Sequence, residues 1–294
     1  MKVSVVIPNY NYGRFLREAL DSALNQTQRP HEVIVVDDGS TDESHEILAG
    51  YEEKGVKAIL QKNSGVGAAR NAGAKASSGD IIAFLDADDV WFPEKLEKQA
   101  AVFAGDGELG LVSCGMQEFD PRGEIIKRYE EGQEGWLSNK MLTFDVPVIV
   151  SGSAVAVRRD IFEKTGGFDE RKELHPSEDW DFFYRVSRIS KVGFVKEILI
   201  NYRNHGDNGH LKIPRFENAM LLAYKKIFET TDTKVLQLRR KSYGNFYRIL
   251  AGSYLYAKQY GSFLRTAGIS LFFTPENLIY FASYPLRRLR RNGT

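Results

Sequence analysis

The chain has 294 residues, of which 43% are hydrophobic and 27% are charged, and Cys114 is its one cysteine. This length suggests one large domain or a domain with an extension, and a single cysteine excludes an intramolecular disulfide and every cysteine-based zinc site. One cysteine fits a reducing compartment, and the N-terminal apolar run has no cleavage site, so we expect a cytoplasmic protein.

The net charge of +1 hides two segments of opposite sign. Residues 1–202 carry 24 basic and 34 acidic side chains, whereas residues 203–294 carry 16 basic and five acidic ones. A basic C-terminal segment predicts an anionic partner at that end of the chain.

The first hundred residues alternate between short apolar runs and helical patterns. Strands are predicted at 3–7, 33–36, 58–60 and 81–85, and helices at 14–25, 40–48, 65–76 and from Pro93 onward. Ser40 and Glu43 have the spacing of a capping box at the start of the second helix. Alternation at this spacing favours a parallel sheet with helices on both faces.

The pattern changes after residue 105. A hairpin is predicted at 109–119 and 123–129, further strands at 146–157 and 192–202, and helices at 159–164 and 178–189. A polar loop at 204–209 follows, and beyond it only helices are expected, at 211–230, 233–258, 260–273 and 276–291.

Three polar segments follow predicted strands, at the position where open α/β sheets bind ligands. They are Asn9–Tyr10, Asp37–Asp38 and Asp86–Asp89. Carboxylates that converge from separate strands need a cation or hydrogen-bond donors, and a divalent metal that also binds phosphate oxygens meets this need. The segments together predict a nucleoside diphosphate bridged to the protein by a metal. Taken singly, each has an alternative as an ordinary turn or a solvated loop.

Four segments in this order resemble the inverting family 2 glycosyltransferases, which transfer sugars from nucleoside diphosphates and have the GT-A fold. They are VSVVIPNYN at 3–11, VVDDGSTD at 35–42, NSGVGAARN at 63–71 and FLDADD at 84–89. The resemblance covers roughly residues 1–205 and implies an α/β fold with a Rossmann-like, mostly parallel central sheet flanked by helices. It implies a nucleotide-sugar-binding half at 1–115, an acceptor-binding half at 116–209 and a C-terminal helical extension at 210–294.

The resemblance also implies roles in nucleotide binding. Pro8 and Tyr10 would line the base pocket, with the ring of Tyr10 stacked on the base. Asp38 would hydrogen-bond the base, and Asp37 would lie beside the ribose. Arg70 would stand near the base and diphosphate, with an ion pair on the helix surface as the alternative.

The segment Asp86-Ala87-Asp88 matches the Asp-x-Asp motif of the family. The resemblance makes Asp88 the metal ligand and gives Asp86 the ribose or a metal-bound water. His205 lies in a segment similar to a family loop near the diphosphate, where it would touch metal or phosphate or else be solvated. The later serine of that loop is replaced around 208–210, which departs from the family pattern.

The segment SEDWD at 177–181 matches the Glu-Asp motif of the family. Displacement at an anomeric carbon needs a base for the acceptor proton, and Asp179 is the expected base, with Glu178 orienting it or contacting the acceptor. Trp180 is a candidate for stacking on an acceptor sugar. The alternatives are acidic residues in a first helical turn, capped by Ser177, and a tryptophan in the core.

The predicted activity is therefore hexosyl transfer with inversion, dependent on Mn²⁺ or Mg²⁺, from a donor that is UDP-linked. The acceptor would be a saccharide or lipid-linked hydroxyl in cell-surface polysaccharide or glycolipid synthesis. A non-catalytic sugar-nucleotide-binding protein is the alternative from another class. A sugar-1-phosphate nucleotidyltransferase needs a glycine-rich basic loop after the first strand, and the sequence there is PNYNYG.

Aromatic residues and arginines cluster near the C-terminus, at 271–273, 278–281 and 287–291. Such segments suit peripheral contact with the inner face of an anionic membrane, or equally a helical cap with solvated basic faces. No recognised nucleic-acid-binding motif accompanies the charge, so nucleic acid is not an expected partner.

Overall fold

A computed structural model describes residues 1–145, 151–206 and 212–283. The chain divides into two compact units, one formed by Met1–Ser138 and Pro147–Met220 and the other by Asn139–Val146 and Leu221–Thr294. The first unit contains every described strand and every residue for which the sequence predicts a role in the reaction. The three functional divisions expected from the sequence stay a prediction.

The strands of the first unit form one sheet. They are β1 (Val3–Asn9), β2 (Glu32–Asp37), β3 (Val56–Leu60), β4 (Ile81–Phe84), β5 (Val90–Trp91), β6 (Leu109–Phe119), β7 (Ile125–Tyr129), β8 (Ala156–Arg158) and β9 (Lys191–Arg203). Their order is β3-β2-β1-β4-β8-β6-β9-β5, with β7 paired to β6. The first four are parallel, as predicted, whereas β8 runs antiparallel to both β4 and β6. The predicted α/β class is confirmed, with a parallel region and a mixed one.

The helices alternate with the strands in the first half and follow one another in the second. They are α1 (Gly13–Leu24), α2 (Ser44–Glu52), α3 (Val66–Ala76), α4 (Lys95–Gly105), α5 (Ser138–Leu142), α6 (Arg159–Thr165), α7 (Glu178–Ile189), α8 (Ile213–Phe228), α9 (Thr233–Tyr256), α10 (Tyr260–Phe273) and α11 (Asn277–Ala282). Short 3₁₀ turns occur at Gly152–Ala154 and Lys172–Leu174. The C-terminal helices predicted from the sequence are therefore present.

The expected capping box at Ser40 is wrong. The second helix begins at Ser44, whose backbone N–H donates to Asp42 Oδ1 at 3.1 Å. The Ser40 hydroxyl instead accepts hydrogen bonds from the Asn11 backbone N–H at 2.9 Å and from Asn9 Nδ2 at 3.2 Å. The serine is used to join the two loops that follow β1 and β2, so it is not available to the helix.

Two other boundaries differ from the prediction. Of the strand expected at 146–157, only residues 156 and 157 lie in a described strand, β8, because Gly152–Ala154 is a 3₁₀ turn. The fourth helix begins at Lys95, two residues after Pro93. Residues 146–150, 207–211 and 284–294, which include parts of a predicted strand, loop and helix, lie outside the described residues.

The buried centre of the first unit depends on close packing of α3 against β1 and β2. Gly73 of α3 faces this contact: a Cβ there would lie 2.4 Å from Val6 Cγ1 and 3.2 Å from Val36 Cγ2. Because Val6 is fully buried, neither neighbour has free space to move into.

We expect Gly73→Ala to lower the free energy of unfolding by about 1–3 kcal/mol, the usual cost of overpacking a core. Gly50→Ala is the matched control, since Gly50 lies in α2 and nothing is within 4 Å of an added Cβ. The control should raise stability by about 0.5–1 kcal/mol because alanine is the better helix former. Urea unfolding measures both changes. Equal effects of the two substitutions would contradict this description of the packing.

The second unit is helical and has its own core. Tyr224 is fully buried there, and its hydroxyl donates a hydrogen bond that is shared between the carbonyl oxygens of Leu142 at 3.0 Å and Ser242 at 3.3 Å. Its ring meets the ring of Phe246 edge-on, with centroids 5.6 Å apart. None of the helices in the described parts of the chain combines the length and the apolar character required to span a bilayer.

Candidate active site

The polar segments after β1, β2 and β4 lie along one edge of the sheet, because these strands are parallel neighbours in the order β2-β1-β4. Pro8 is buried at the end of β1, whereas the side chain of Tyr10 is exposed, at 47%. A ring held at this edge with an open face is able to stack on a planar ligand.

Asp37 is fully buried and accepts three hydrogen bonds. The donors are Asn9 Nδ2 at 2.8 Å, the Ser40 backbone N–H at 2.8 Å and, with a proton on that nitrogen, His45 Nε2 at 3.1 Å. Burial by itself raises the pKa of Asp37, but these hydrogen bonds hold it below its usual value. The carboxylate therefore stays ionised and fixes the turn after β2.

Asp38 organises the segment that leads into α3. Its Oδ1 accepts hydrogen bonds from Gln61 Nε2 at 2.7 Å and from the Ser64 backbone N–H at 2.8 Å, and its Oδ2 accepts one from the Gly65 N–H at 2.8 Å. The predicted roles of Asp37 and Asp38 in nucleotide binding stay predictions, and the structure adds a loop-fixing role for each.

The Asp86–Asp89 loop directs its carboxylates to different partners. Ala87 is buried, and Asp88 Oδ2 lies 2.9 Å from His205 Nε2. Asp89 accepts hydrogen bonds from the Ser153 hydroxyl at 2.5 Å and the Arg203 backbone N–H at 3.0 Å. Burial, together with the nearby charges of Asp88 and Asp86, raises the pKa of Asp89 well above its usual value.

Asp88 and His205 are thus brought together, as their predicted shared role requires. Within the described ranges no group of three or more histidine, cysteine or acidic side chains forms a complete metal site. A carboxylate oxygen and an imidazole nitrogen at this spacing still suit a divalent ion that takes its other ligands from substrate phosphates and water. The donor set therefore fits the predicted metal, and the assignment of Asp88 and His205 as its protein ligands stays a prediction.

Arg70 connects the donor side of the site to the Glu-Asp motif. The side chain is 4% exposed, and its Nη2 donates to Asp86 Oδ1 at 2.7 Å while its Nη1 donates to Glu178 Oε1 at 3.0 Å. This geometry excludes the alternative of an ion pair on the helix surface. Two acidic motifs that are distant in the sequence are therefore joined by one buried guanidinium.

Glu178 and Asp86 respond differently to Arg70. Burial by itself would raise the pKa of both carboxyl groups. For Glu178 the effect is outweighed by His175, whose Nδ1 lies 3.2 Å from Glu178 Oε2, and by Arg70, so its pKa is lowered. For Asp86 burial prevails over the attraction of Arg70, and its pKa is raised.

Asp179 differs from Glu178 and Asp86 in its hydrogen-bond and ion-pair partners. Its Oδ1 accepts a hydrogen bond from the Trp180 backbone N–H at 2.6 Å, and it forms no ion pair with any residue that the structure describes. Burial and the charge of Glu178 raise the pKa of Asp179 to about 8, against the lowering effect of Arg70. A partly exposed carboxyl group with a pKa near neutrality can exchange a proton with a substrate.

Trp180 is 6% exposed, and its ring stacks on that of Tyr184 with centroids 5.8 Å apart. The ring is packed inside the domain, and the acceptor contact of Trp180 stays a prediction. Ser177 precedes α7 as expected, but its side chain makes no capping hydrogen bond.

Comparison with known proteins connects this geometry to a family. Residues 4–166 match the sequence profile described as Glycosyl transferase family 2. The chain belongs to this family. It is 36% identical over 218 residues to an uncharacterized glycosyltransferase of Nostoc sp., covering 72% of this chain and 67% of that one. The protein is thus a glycosyltransferase, and the alternatives of a nucleotidyltransferase and a non-catalytic binding protein are not favoured.

Solved structures share the fold at low sequence identity. A crystal structure of S. aureus TarS 1–349 in complex with UDP-GlcNAc matches with a TM-score of 0.66 and 18% identity, covering 91% of each chain. The mannosyltransferase PcManGT from Pyrobaculum calidifontis, in complex with GDP-Man and Mn²⁺, matches with a TM-score of 0.63 and 19% identity, covering 99% of this chain and 79% of that one. The predicted GT-A fold is confirmed.

The family match ends at residue 166, before the Glu-Asp motif and His205. The placement of these residues beside the Asp-x-Asp segment therefore comes from the three-dimensional structure. Three residues in contact with the site were not predicted from the sequence: Gly152, Ser153 and His175. His175 directly follows the 3₁₀ turn at Lys172–Leu174 and lies outside α7, so the helical spacing rule does not reveal its contact with Glu178.

Proposed function

We propose that this glycosyltransferase moves a sugar from a UDP-linked donor to an acceptor hydroxyl with inversion at the anomeric carbon. The observation that carries the proposal is the position of Arg70, which binds Asp86 of the donor side and Glu178 next to Asp179. A base and a site for the leaving diphosphate are both needed for this reaction, and they must lie near each other on opposite sides of one reacting carbon.

On the donor side, we assign the exposed ring of Tyr10 and the buried Pro8 to the base pocket, Asp38 to the base, and Asp37 to the ribose. The TarS structure contains UDP-GlcNAc and the PcManGT structure contains GDP-Man, which supports a nucleotide sugar as the donor class. Of the nucleotides UDP and GDP, we propose UDP as the one that carries the donor sugar.

Asp88 and His205 would supply protein ligands to a divalent cation, Mn²⁺ or Mg²⁺. Such an ion supplies positive charge that stabilises a departing diphosphate. The Mn²⁺ in the PcManGT structure supports this class of cofactor. Asp86, held by Arg70, would face the ribose or a water of the same ion.

On the acceptor side, the acceptor oxygen attacks the anomeric carbon as the bond from this carbon to the diphosphate breaks. The Asp179 carboxylate takes the hydroxyl proton, and the diphosphate leaves with the electron pair of the broken bond. Glu178, ionised between His175 and Arg70, keeps the motif in position and raises the basicity of Asp179 through its charge.

For the acceptor we propose a saccharide or lipid-linked hydroxyl of cell-surface polysaccharide or glycolipid synthesis, the class implied by the sequence resemblance. We propose a cytoplasmic location, since the one cysteine of the chain is buried and unpaired, as suits a reducing compartment.

Donor binding tests the proposal directly. Titration calorimetry with UDP, GDP and dTDP in the presence of Mn²⁺ should give the tightest binding for UDP. Asp88→Asn should weaken UDP binding at least about tenfold with Mn²⁺ present, which corresponds to about 1.4 kcal/mol. The loss should be smaller without the metal, because Asp88 acts on the nucleotide through the ion.

Asp160→Asn is the control for this experiment, because Asp160 is an exposed acid on α6 whose partner is Lys164. It should bind UDP as the wild type does. A stronger affinity for GDP or dTDP would overturn the choice of donor, and unchanged UDP binding by Asp88→Asn with Mn²⁺ would overturn the assignment of the metal ligand.

A further inference from the structure

The surface of α10 has the reverse of the usual amphipathic pattern. Leu264 and Phe272 are 67% and 73% exposed, whereas Thr266 and Ser270 are fully buried. A helix on the surface of a water-soluble domain normally turns its large apolar residues inward and its small polar ones outward. The outward apolar side chains of α10 therefore need an explanation.

The buried side of α10 leaves little room for large side chains. Ser270 Oγ donates a hydrogen bond to the Gly244 carbonyl of α9 at 2.8 Å, and Asn277 Nδ2 donates to Ser270 Oγ at 3.0 Å. A Cβ on Gly244 would lie 2.0 Å from Thr274 Oγ1, so the backbones approach closely. Small residues make this close contact, whereas Leu264 and Phe272 remain outside it.

The next helix, α11, also exposes large apolar residues. Leu278 and Ile279 of α11 are 60% and 76% exposed. We call Leu264, Phe272, Leu278 and Ile279 the apolar docking surface. Apolar residues exposed together in this way mark binding surfaces more often than isolated ones do.

The charge of the same region indicates what the surface binds. Residues 233–294 contain 11 basic side chains and one acidic side chain, Glu276. Four of the arginines, at positions 287, 288, 290 and 291, follow α11 closely in the sequence. Large apolar groups in a stretch of sequence with concentrated positive charge suit an anionic bilayer, where apolar groups enter between lipid headgroups and cations meet phosphates.

We propose that the apolar docking surface binds a bilayer that contains anionic lipid. A second copy of the chain is a poorer partner, because a symmetric contact would bring two segments of the same strong positive charge together. This inference is independent of the proposed sugar transfer, since it concerns binding to lipid alone.

Flotation of the full chain with vesicles tests the proposal. The protein should float with vesicles of phosphatidylcholine and phosphatidylglycerol and stay at the bottom with phosphatidylcholine alone. Replacing Leu278 and Ile279 together with Ser should lower the bound fraction, and changing Arg287, Arg288, Arg290 and Arg291 to Gln should lower the partition coefficient about tenfold or more.

Ile126→Ser is the matched control, because Ile126 is an exposed apolar residue of β7, at 55%, in the first unit. It should float as the wild type does. Failure of the wild type to float, equal binding to both kinds of vesicle, or unchanged binding by the double serine variant would each overturn the proposal. A lipid-free dimer that the serine variant loses, without flotation of the wild type, would assign the surface to self-association instead.

Discussion

Replacing Asp179 with Asn is expected to lower kcat about 10²- to 10⁴-fold, the range for loss of a positioned general base. The amide is almost isosteric, and its oxygen can still accept the Trp180 backbone N–H that Asp179 Oδ1 accepts at 2.6 Å. It cannot take up the acceptor proton. Donor affinity should stay within about twofold of the wild-type value, because the substitution removes an interaction with the acceptor proton that is made only in the transition state.

Single-turnover transfer with saturating donor and acceptor measures this loss. Glu173→Gln is the matched control: Glu173 is an exposed acid in the 3₁₀ turn shortly before α7, and the substitution is the same change from carboxylate to amide. The control should transfer sugar at the wild-type rate. If Asp179→Asn does so too, the assignment of the base is wrong.

The same assignment gives a pH dependence with a definite sign. Burial and the charge of Glu178 raise the pKa of Asp179 to about 8, and only the ionised form can accept a proton. The value of kcat/KM should therefore increase with pH by up to about tenfold per unit and level off above about pH 8. A profile that is flat from about pH 6 upward would contradict this role for Asp179.

The raised pKa of Asp179 also has a consequence for stability. Between the ordinary value near 3.8 and about 8, the folded protein holds a proton that the unfolded chain releases. The contribution of Asp179 to stability is therefore greatest at low pH and is lost as the pH rises through this window. Asp179→Asn should melt at a higher temperature than the wild type near pH 9, and the difference should shrink toward about pH 4. An inactive but more stable variant separates catalysis from folding.

The parts of the site that could be predicted are those set by local pattern. Apolar runs that end in polar residues identify β1, β2 and β4, and the carboxyl ends of parallel strands share one edge, so Tyr10, Asp38 and Asp88 could be placed together from the sequence. The C-terminal helices could be predicted from their spacing for the same reason.

The parts that could not be predicted depend on contacts between distant segments. The Ser153 hydroxyl accepts a hydrogen bond from the Asp86 backbone N–H at 3.0 Å and donates one to the Asp89 carboxyl group. Nothing in the local sequence of Ser153 indicates either partner. The antiparallel pairing of β8 with β4 brings it there. Likewise, the sequence suggested a nucleotide contact for Arg70, and the fold adds Glu178, which only long-range packing could bring within reach.

The motif at 63–71 also depends on contacts between segments that are distant in the sequence. Its helix, α3, contacts the segment that precedes the Glu-Asp motif: Asn71 Nδ2 donates to the Phe168 carbonyl at 2.9 Å, and Asn71 Oδ1 accepts from the Phe168 N–H at 2.8 Å. A Cβ on Gly67 would lie 2.7 Å from the Asp169 carbonyl oxygen. The small residues of the motif thus allow α3 to lie close to residues 168 and 169. Arg70 adds an ion pair with Glu178.

Replacing Arg70 with Gln should lower the free energy of unfolding by about 3–5 kcal/mol, the usual cost of removing one partner from a buried ion pair. Glu178 would keep His175, whose Nδ1 lies 3.2 Å from its Oε2, as its one partner among the described ion pairs. The deficit should narrow as the pH falls from about 7 to about 5, because the buried carboxyl groups can then take up protons. Urea unfolding at both pH values measures this. A deficit that does not depend on pH would mean that Arg70 acts through packing alone.

Arg70→Lys and Gly152→Ala distinguish positioning from stability. Lysine keeps the charge but lacks the planar fork that reaches Asp86 and Glu178 at once, so we expect partial recovery of stability and a kcat still lowered by about tenfold or more. In Gly152→Ala both charges remain, but the new Cβ would lie 2.5 Å from Arg70 Nη2 and 2.8 Å from Asp86 Oδ2, and the pair must move.

Gly107→Ala is the control for the glycine substitution, since nothing lies within 4 Å of a Cβ at that position. It should leave both stability and rate close to wild type. Gly152→Ala should lower kcat more than it lowers the free energy of unfolding, because a small displacement of Arg70 shifts Glu178 and with it the base at Asp179. If Gly152→Ala instead lowers the free energy of unfolding in proportion to the loss of kcat, the ion pairs of Arg70 stabilise the fold without aligning the donor and acceptor sides of the site.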